Sequence, residues 1–205
     1  MTAAPLGRPV GADGEQTRVR ITEAAMRCVA EVGYSRATIR AIARAAGMTS
    51  GSLYHYFPTK SALLNATVSG IDALARPRLR AAAARADDAV GRLEAVLDEW
   101  DRLMREYPYL AAFDRAMRAE STARTRGGRP RYPGLKALRD IVDEIVGDAA
   151  ARQALPPDTD PRAAVDAIHA LIRGLTEQAA SLAPAAYAAT LRSAKELIRG
   201  TLFAP

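Results

Sequence analysis

The chain has 205 residues, 49% of them hydrophobic and only 5% aromatic, and its 29 Lys or Arg exceed its 23 Asp or Glu to give a net charge of +6. That length admits one domain or a small module joined to a larger one, with cores built mostly from Ala, Leu, Val and Ile. A single cysteine, Cys28, excludes an internal disulfide and a multi-cysteine zinc site, and no run reaches the ~18–20 apolar residues of a membrane span. The N-terminus lacks the apolar stretch of a signal peptide, so the expected location is the cytoplasm, with no membrane partner.

The charge is unevenly spread. Residues 1–60 carry eight Lys or Arg against four acids, whereas residues 61–205 have a net charge of only +2. A basic first third points to an anionic partner for that part. Residues 1–14, MTAAPLGRPVGADG, hold three Gly and two Pro without periodicity and read as a flexible arm. From Glu15 the pattern turns helical: Ile21, Ala25, Cys28, Val29 and Val32 form one stripe of a helix that Gly33 ends. Cys28 lies in that stripe and reads as a small buried hydrophobe. Thr38 then caps a helix bearing Ile39, Ile42, Ala43 and Ala46, and Gly47 ends it with a residue free to take positive φ. Thr49 or Ser50 caps a third, very short helix, which closes where Pro58 pushes Phe57 out of the α region. Three helices in succession, the last two joined by a tight Gly turn, make a helix-turn-helix unit.

A fourth helix starts after Lys60 and is expected to stop or kink at Arg76-Pro77. Leu93, Val96, Leu97, Trp100, Leu103, Met104 and Tyr107 trace an amphipathic helix that Pro108 breaks, and Leu110, Phe113 and Met117 start another. Residues 121–134, STARTRGGRPRYPG, read as a basic loop. Leu135, Leu138, Ile141, Val142, Ile145 and Val146 give the next helix, and two last helices follow Pro161 and Pro184. In the first of these, Val165, Ile168, Ile172, Leu175, Ala179 and Leu182 recur in steps of three and four. In the second, Tyr187, Leu191, Ala194 and Ile198 form a narrower stripe. No segment carries a strand pattern, so the expected fold class is all-α.

The run from Gly33-Tyr34 through TIRAIARAAGMTSGSLYHYFPTKSALL resembles the DNA-binding domain of TetR-like transcriptional regulators. The Gly-Met-Thr-x-Gly-x-Leu-Tyr core, the aromatic pair after it and the Pro-x-Lys-x-x-Leu ending all match. The resemblance implies a helix-turn-helix DNA-binding domain at 15–60, followed by a helical ligand-binding and dimerisation domain at 61–205. It also implies that Arg40 reads guanine and that Ser50, Gly51, Ser52 and Tyr54 face bases. Thr38, Thr49, His55, Tyr56 and Lys60 would hold the DNA backbone. The sequence has Tyr54-His55-Tyr56-Phe57 where Tyr-Tyr-His-Phe is the commoner order. The physical reading agrees: a recognition helix must be short, must keep small and polar groups at its N-terminal turn, and must be anchored from behind, here by Leu53 and Phe57. Arg40 and Arg44 by themselves also fit ordinary solvated charges on a helix face.

Repression needs two DNA-binding heads, and the stripe residues Val165, Ile168, Ile172, Leu175, Leu182, Tyr187, Leu191 and Ile198 suit a four-helix bundle with a second copy. The same stripes also suit the core of a single protomer; the expectation adopted is the homodimer. An effector pocket is expected among the helices of residues 61–180, with Trp100, Met104, Tyr107, Phe113, Met117, His169 and Arg173 as candidates. Its apolar character suits a small, mainly hydrophobic effector. Most of these side chains fit a packed core equally well, and His169 and Arg173 also fit an interface or the surface. No catalytic set is expected: His55 and His169 fall in different modules, and no Ser/His/Asp order, Gly-rich phosphate loop or metal spacing occurs. No cofactor or metal is expected either. The function that follows is a ligand-responsive regulator, expected to repress from a palindromic double-stranded DNA operator. The competing reading is a helical ligand-binding or interaction protein without sequence-specific DNA binding.

Overall fold

A computed structural model describes residues 12–124 and 136–203, and among these residues every regular element is helical. The chain order is α1 (Ala12–Val32), α2 (Ile39–Ala45), α3 (Ser50–Tyr56), α4 (Lys60–Ala83), α5 (Ala89–Glu106), α6 (Leu110–Arg124), α7 (Lys136–Ala151), α8 (Pro161–Ala179) and α9 (Pro184–Arg199). The starts are legible as local chemistry. Thr38, Thr49, Thr59, Asp88 and Asp160 each accept a backbone N–H from the first turn of the helix they precede. Each satisfies one of the donors a helix start leaves without a partner. Pro161 and Pro184 open α8 and α9, where a missing N–H costs nothing.

Three expectations need correction. The arm assigned to 1–14 is shorter, because α1 already begins at Ala12; the rest of it lies outside the described residues. The basic loop assigned to 121–134 loses its first four residues to α6, and its remainder lies outside the described residues. Pro77 does not stop α4, which continues to Ala83. The proline removes only the bond to the Ala73 carbonyl, and both residues face solvent, so water can serve that group. Past the proline, Leu79, Ala82 and Ala83 are buried, and this burial carries the helix on.

Packing orders the helices around one continuous core that runs from Ile21 of α1 through Leu63 and Leu79 of α4 to Trp100, Ile145 and Leu175. α4 packs on α5 and α7, α8 lies against α7 and α6, and α9 covers α8 and α5. α1 packs on α2 and also on α4 and α6, so the N-terminal module is seated on the body rather than tethered beside it. Ion pairs reinforce the α4 contacts. Arg76 meets Asp140 of α7 at 2.9 Å, Arg80 pairs with Glu144, and Arg78 meets the buried Glu99 of α5 at 2.7 Å. Glu99 also takes Arg102, and two cations are what make a buried carboxylate tolerable there. Cys28 is half-buried, and burial pushes its thiol pKa up, which favours the unreactive thiol.

Candidate nucleic-acid interface

The turn between α2 and α3 is set by Gly47, at φ +68. That left-handed conformation is nearly free for glycine and costly for residues with a Cβ. Gly47 N donates to Arg44 O at 3.1 Å and Met48 N to Ala43 O at 2.9 Å, which closes α2 and aims α3 away from it. Leu53 is fully buried and Phe57 nearly so, and together they hold one side of α3 to the core. The Arg18 guanidinium lies 4.9 Å over the Phe57 ring and covers its outer face.

The opposite side of α3 is free. Gly51, Ser52, Tyr54 and His55 are exposed, Tyr54 by 51%, and Ser50 is half-buried. Thr49 Oγ1 accepts Ser52 N at 3.1 Å and shares a hydrogen bond of 2.9 Å with Ser52 Oγ, so both hydroxyls are already oriented. Thr38 and Arg40 are exposed at the start of α2, and Thr38 Oγ1 accepts Ala41 N at 3.1 Å. The structure therefore brings nine of the ten predicted DNA contacts to the α2–α3 surface, with Tyr56 the least available: it is half-buried against the core. His55 is the more exposed of the two residues whose order departs from the commoner pattern.

Lys60, the tenth, is differently placed from the sequence expectation. It does not precede α4 but is its first residue, with Thr59 as the cap. A cation at the positive end of a helix is unfavourable. Here it is held by the Tyr34 carbonyl, to which Lys60 Nζ donates, and by the Tyr34 ring, 4.3 Å away. Lys60 thus clamps the start of α4 to the α1–α2 turn. Sequence reasoning missed Tyr34, Arg18 and Thr59 in this region. Thr59 was recoverable, since a Thr directly before a helical run is a cap signal; the stacking of Arg18 on Phe57 has no local signature.

Most of the residues assigned to an effector pocket are packed in the core. Trp100, Met104, Phe113, Met117 and His169 are buried, and Trp100 Nε1 donates to Thr176 Oγ1 of α8 at 2.9 Å. Arg173 is exposed. Tyr107 lines an open cavity beside α1 and α4. Burial lowers the His169 pKa, and Arg139, Arg118 and Arg173 lower it further against the opposing charge of Asp166, so the imidazole is held neutral.

Five of the eight residues expected at the interface are packed inside the chain. Val165, Ile172, Leu175, Tyr187 and Leu191 are buried within the chain itself, and Ile168 and Ile198 are half-buried against the same core. Tyr187 is enclosed enough that its pKa is pushed up to about 12. Leu182 is 36% exposed but lies beyond the end of α8. The large side chains of the stripe therefore fill the protomer's own interior. Among the residues α8 leaves exposed are Ala163, Ala167, Ala170 and Gly174, beside the charged Arg162, Asp166, Arg173 and Glu177, and α9 leaves Ala185, Ala189, Ser193 and Leu197 beside Arg192 and Arg199.

This geometry defines an all-α protein with an N-terminal helix-turn-helix head on a larger helical body. Residues 21–67 match the family model described as bacterial regulatory proteins, tetR family. Over 46 residues the chain is 46% identical to the HTH-type transcriptional repressor Rv1474c of Mycobacterium tuberculosis, which spans 22% of this chain and 25% of the relative. Over 83 residues it is 37% identical to the HTH-type transcriptional regulator BetI of Escherichia coli, spanning 40% of this chain and 43% of the relative. The matches thus cover less than half the length of these curated relatives. The fold is shared over nearly the whole chain. FadR from Bacillus subtilis, solved in complex with stearoyl-CoA, superposes with a TM-score of 0.76 at 21% identity, covering 89% of this chain and 98% of that one. A TetR-family regulator from Rhodococcus sp. does so with a TM-score of 0.73 at 20% identity, over 89% and 98%. Residues 21–67 thus resemble the N-terminal module of that family, and the fold of the chain is shared with these solved structures. Among the described residues no helix is long and apolar enough to cross a membrane.

Proposed function

We propose that the protein is a ligand-responsive transcriptional regulator that represses from a palindromic operator as a homodimer. The observation that carries this reading is the free face of α3: a seven-residue helix anchored by Leu53 and Phe57 that leaves Gly51, Ser52, Tyr54 and His55 bare. A short helix with small groups at its start is what the major groove admits and what base edges require. In this assignment Arg40 takes a guanine, Ser50, Gly51, Ser52 and Tyr54 face bases, and Thr38, Thr49, His55 and Tyr56 hold phosphates. Lys60 serves the backbone as well, from a position stiffened by Tyr34.

The homodimer is assigned to the outward faces of α8 and α9, in place of their buried stripes. Small residues there let two helix pairs approach closely across a two-fold axis. Such a dimer must present its recognition helices about 34–36 Å apart to read two half-sites on one side of the duplex. The hydrophobic effector is supported by the apolar make-up of the body and by the likeness in fold to a regulator solved with stearoyl-CoA. The head joins the body covalently through α4, so an effector that binds two poses of that helix unequally changes the separation of the heads.

The test is binding to selected and random duplexes over a range of salt. Arg40→Ala should lower affinity for the selected site by about 1–3 kcal/mol and relax one base preference. Lys60→Ala should weaken all duplexes alike and flatten the slope of log K against log salt by about one unit. Equal loss of specificity from both variants would overturn the division of roles, and absence of salt-dependent binding would overturn the regulator.

A further inference from the structure

Between the head and the body lies a cavity of about 180 Å³ whose walls come from four helices. α1 contributes Val19 and Met26, α4 contributes Ile71 and Leu74, and Leu103 and Leu110 close it from α5 and α6. Val19 and Leu74 are 48% and 38% exposed and mark its open side, from opposite helices. The hydroxyls of the wall do not call for water. Thr22 Oγ1 donates to Val19 O at 2.8 Å, and Thr67 Oγ1 donates to Leu63 O at 3.0 Å. The volume is that of a single aromatic ring, and the mostly apolar walls open to solvent between Val19 and Leu74.

One polar group of the wall is left over. The Glu23 carboxylate is exposed and has no ion pair or hydrogen bond among the described residues. The nearby Tyr107 phenol donates to Glu106 rather than to Glu23, and burial, with the Glu106 and Glu23 charges both beside it, raises its pKa and keeps it protonated. An apolar body beside one unengaged acceptor selects a ligand by both properties. We infer that this cavity binds a compact, one-ring apolar molecule whose single hydrogen-bond donor is accepted by Glu23. The inference rests on the proposed regulator reading for its consequence, since a molecule held between α1 and α4 fixes the head against the helix that carries it.

Gly70 supplies the means of testing it. It lines the cavity from α4, and a Cβ added there meets no atom within 4 Å. Gly70→Leu therefore starts from an unobstructed Cβ on the cavity's exposed rim and removes a helix-weakening glycine from the interior of α4. The probe is 4-ethylphenol, with its methyl ether as the donor-less control, titrated calorimetrically into the full chain without DNA. Wild type should bind the phenol saturably at one site, about tenfold more tightly than the ether. Gly70→Leu should lose at least about tenfold in affinity with an unchanged or raised melting temperature. Glu23→Met should bind phenol and ether equally. Absence of saturable binding to wild type, or wild-type affinity in Gly70→Leu, overturns the assignment, as does an unchanged preference for the phenol in Glu23→Met. Duplex binding of the same preparations keeps the two ideas apart: a chain that takes the probe but no DNA overturns the regulator and leaves the cavity standing.

Discussion

Gly51→Ala should move stability and recognition in opposite directions. Gly51 is the second residue of α3, and a Cβ built there meets only Thr49 Oγ1, at 3.8 Å, an ordinary van der Waals contact. Its φ is not among the positive values, so nothing in the free protein resists a methyl group. Alanine is favoured over glycine in a helix interior by about 0.8–1 kcal/mol, and in a first turn about half of that, roughly 0.5 kcal/mol, is expected. At about 2–4 °C per kcal/mol for a chain of this size, the melting temperature should rise by about 1–2 °C. On DNA the same methyl stands between the recognition helix and the base edges. Displacing one good base contact costs about 1–3 kcal/mol, so affinity for a selected operator should fall by roughly tenfold or more. Random duplex, held through phosphates, should be bound almost as before. Differential scanning fluorimetry and anisotropy of labelled duplexes at one salt concentration read both effects. A higher melting temperature with unchanged operator affinity would refute the placement of Gly51 against bases. A lower melting temperature would refute the account of α3 itself.

Three further outcomes follow from the body. Ala167→Glu, on the outward face of α8, should give helical monomers in sedimentation, whereas Ile172→Glu, at a buried position, should unfold the chain; a dimeric Ala167→Glu refutes the revised interface. Thr176→Val leaves the buried Trp100 N–H without its acceptor and should destabilise by about 1–3 kcal/mol in denaturant titration, with a shifted Trp100 emission. A change indistinguishable from zero would show that another acceptor takes the indole. His169 has its pKa lowered from 6.5, so the unfolded chain binds the proton more readily than the folded one. Its contribution to stability is complete above pH ~6.5 and is lost as pH falls through that value toward the folded pKa. Melting temperatures from pH 8 to 5 should show this loss in wild type and less of it in His169→Gln, and equal profiles would refute the assignment.

The head was legible in the sequence because its determinants are local. Thr38 and Thr49 act within three residues of themselves, Gly47 is set by its own φ, and Pro58 acts on its neighbour Phe57. The apolar stripes of α5, α7 and α8 were legible for a related reason, since helical periodicity shows which side of a helix avoids water. Periodicity does not say what covers that side. Val165, Ile172 and Leu175 form the same stripe whether they meet another protomer or their own α6 and α7, and only the tertiary arrangement decides for the latter. Pro77 shows the opposite case, a local rule overruled: its break signal is real, but exposure of Ala73 makes the lost bond cheap and burial of Leu79 and Ala82 outweighs it. The clamp of Lys60 on Tyr34 and the cavity between α1 and α4 join residues tens of positions apart. Such contacts leave no periodic or capping trace, because they depend on how finished helices lie against one another and not on the conformation of any one of them.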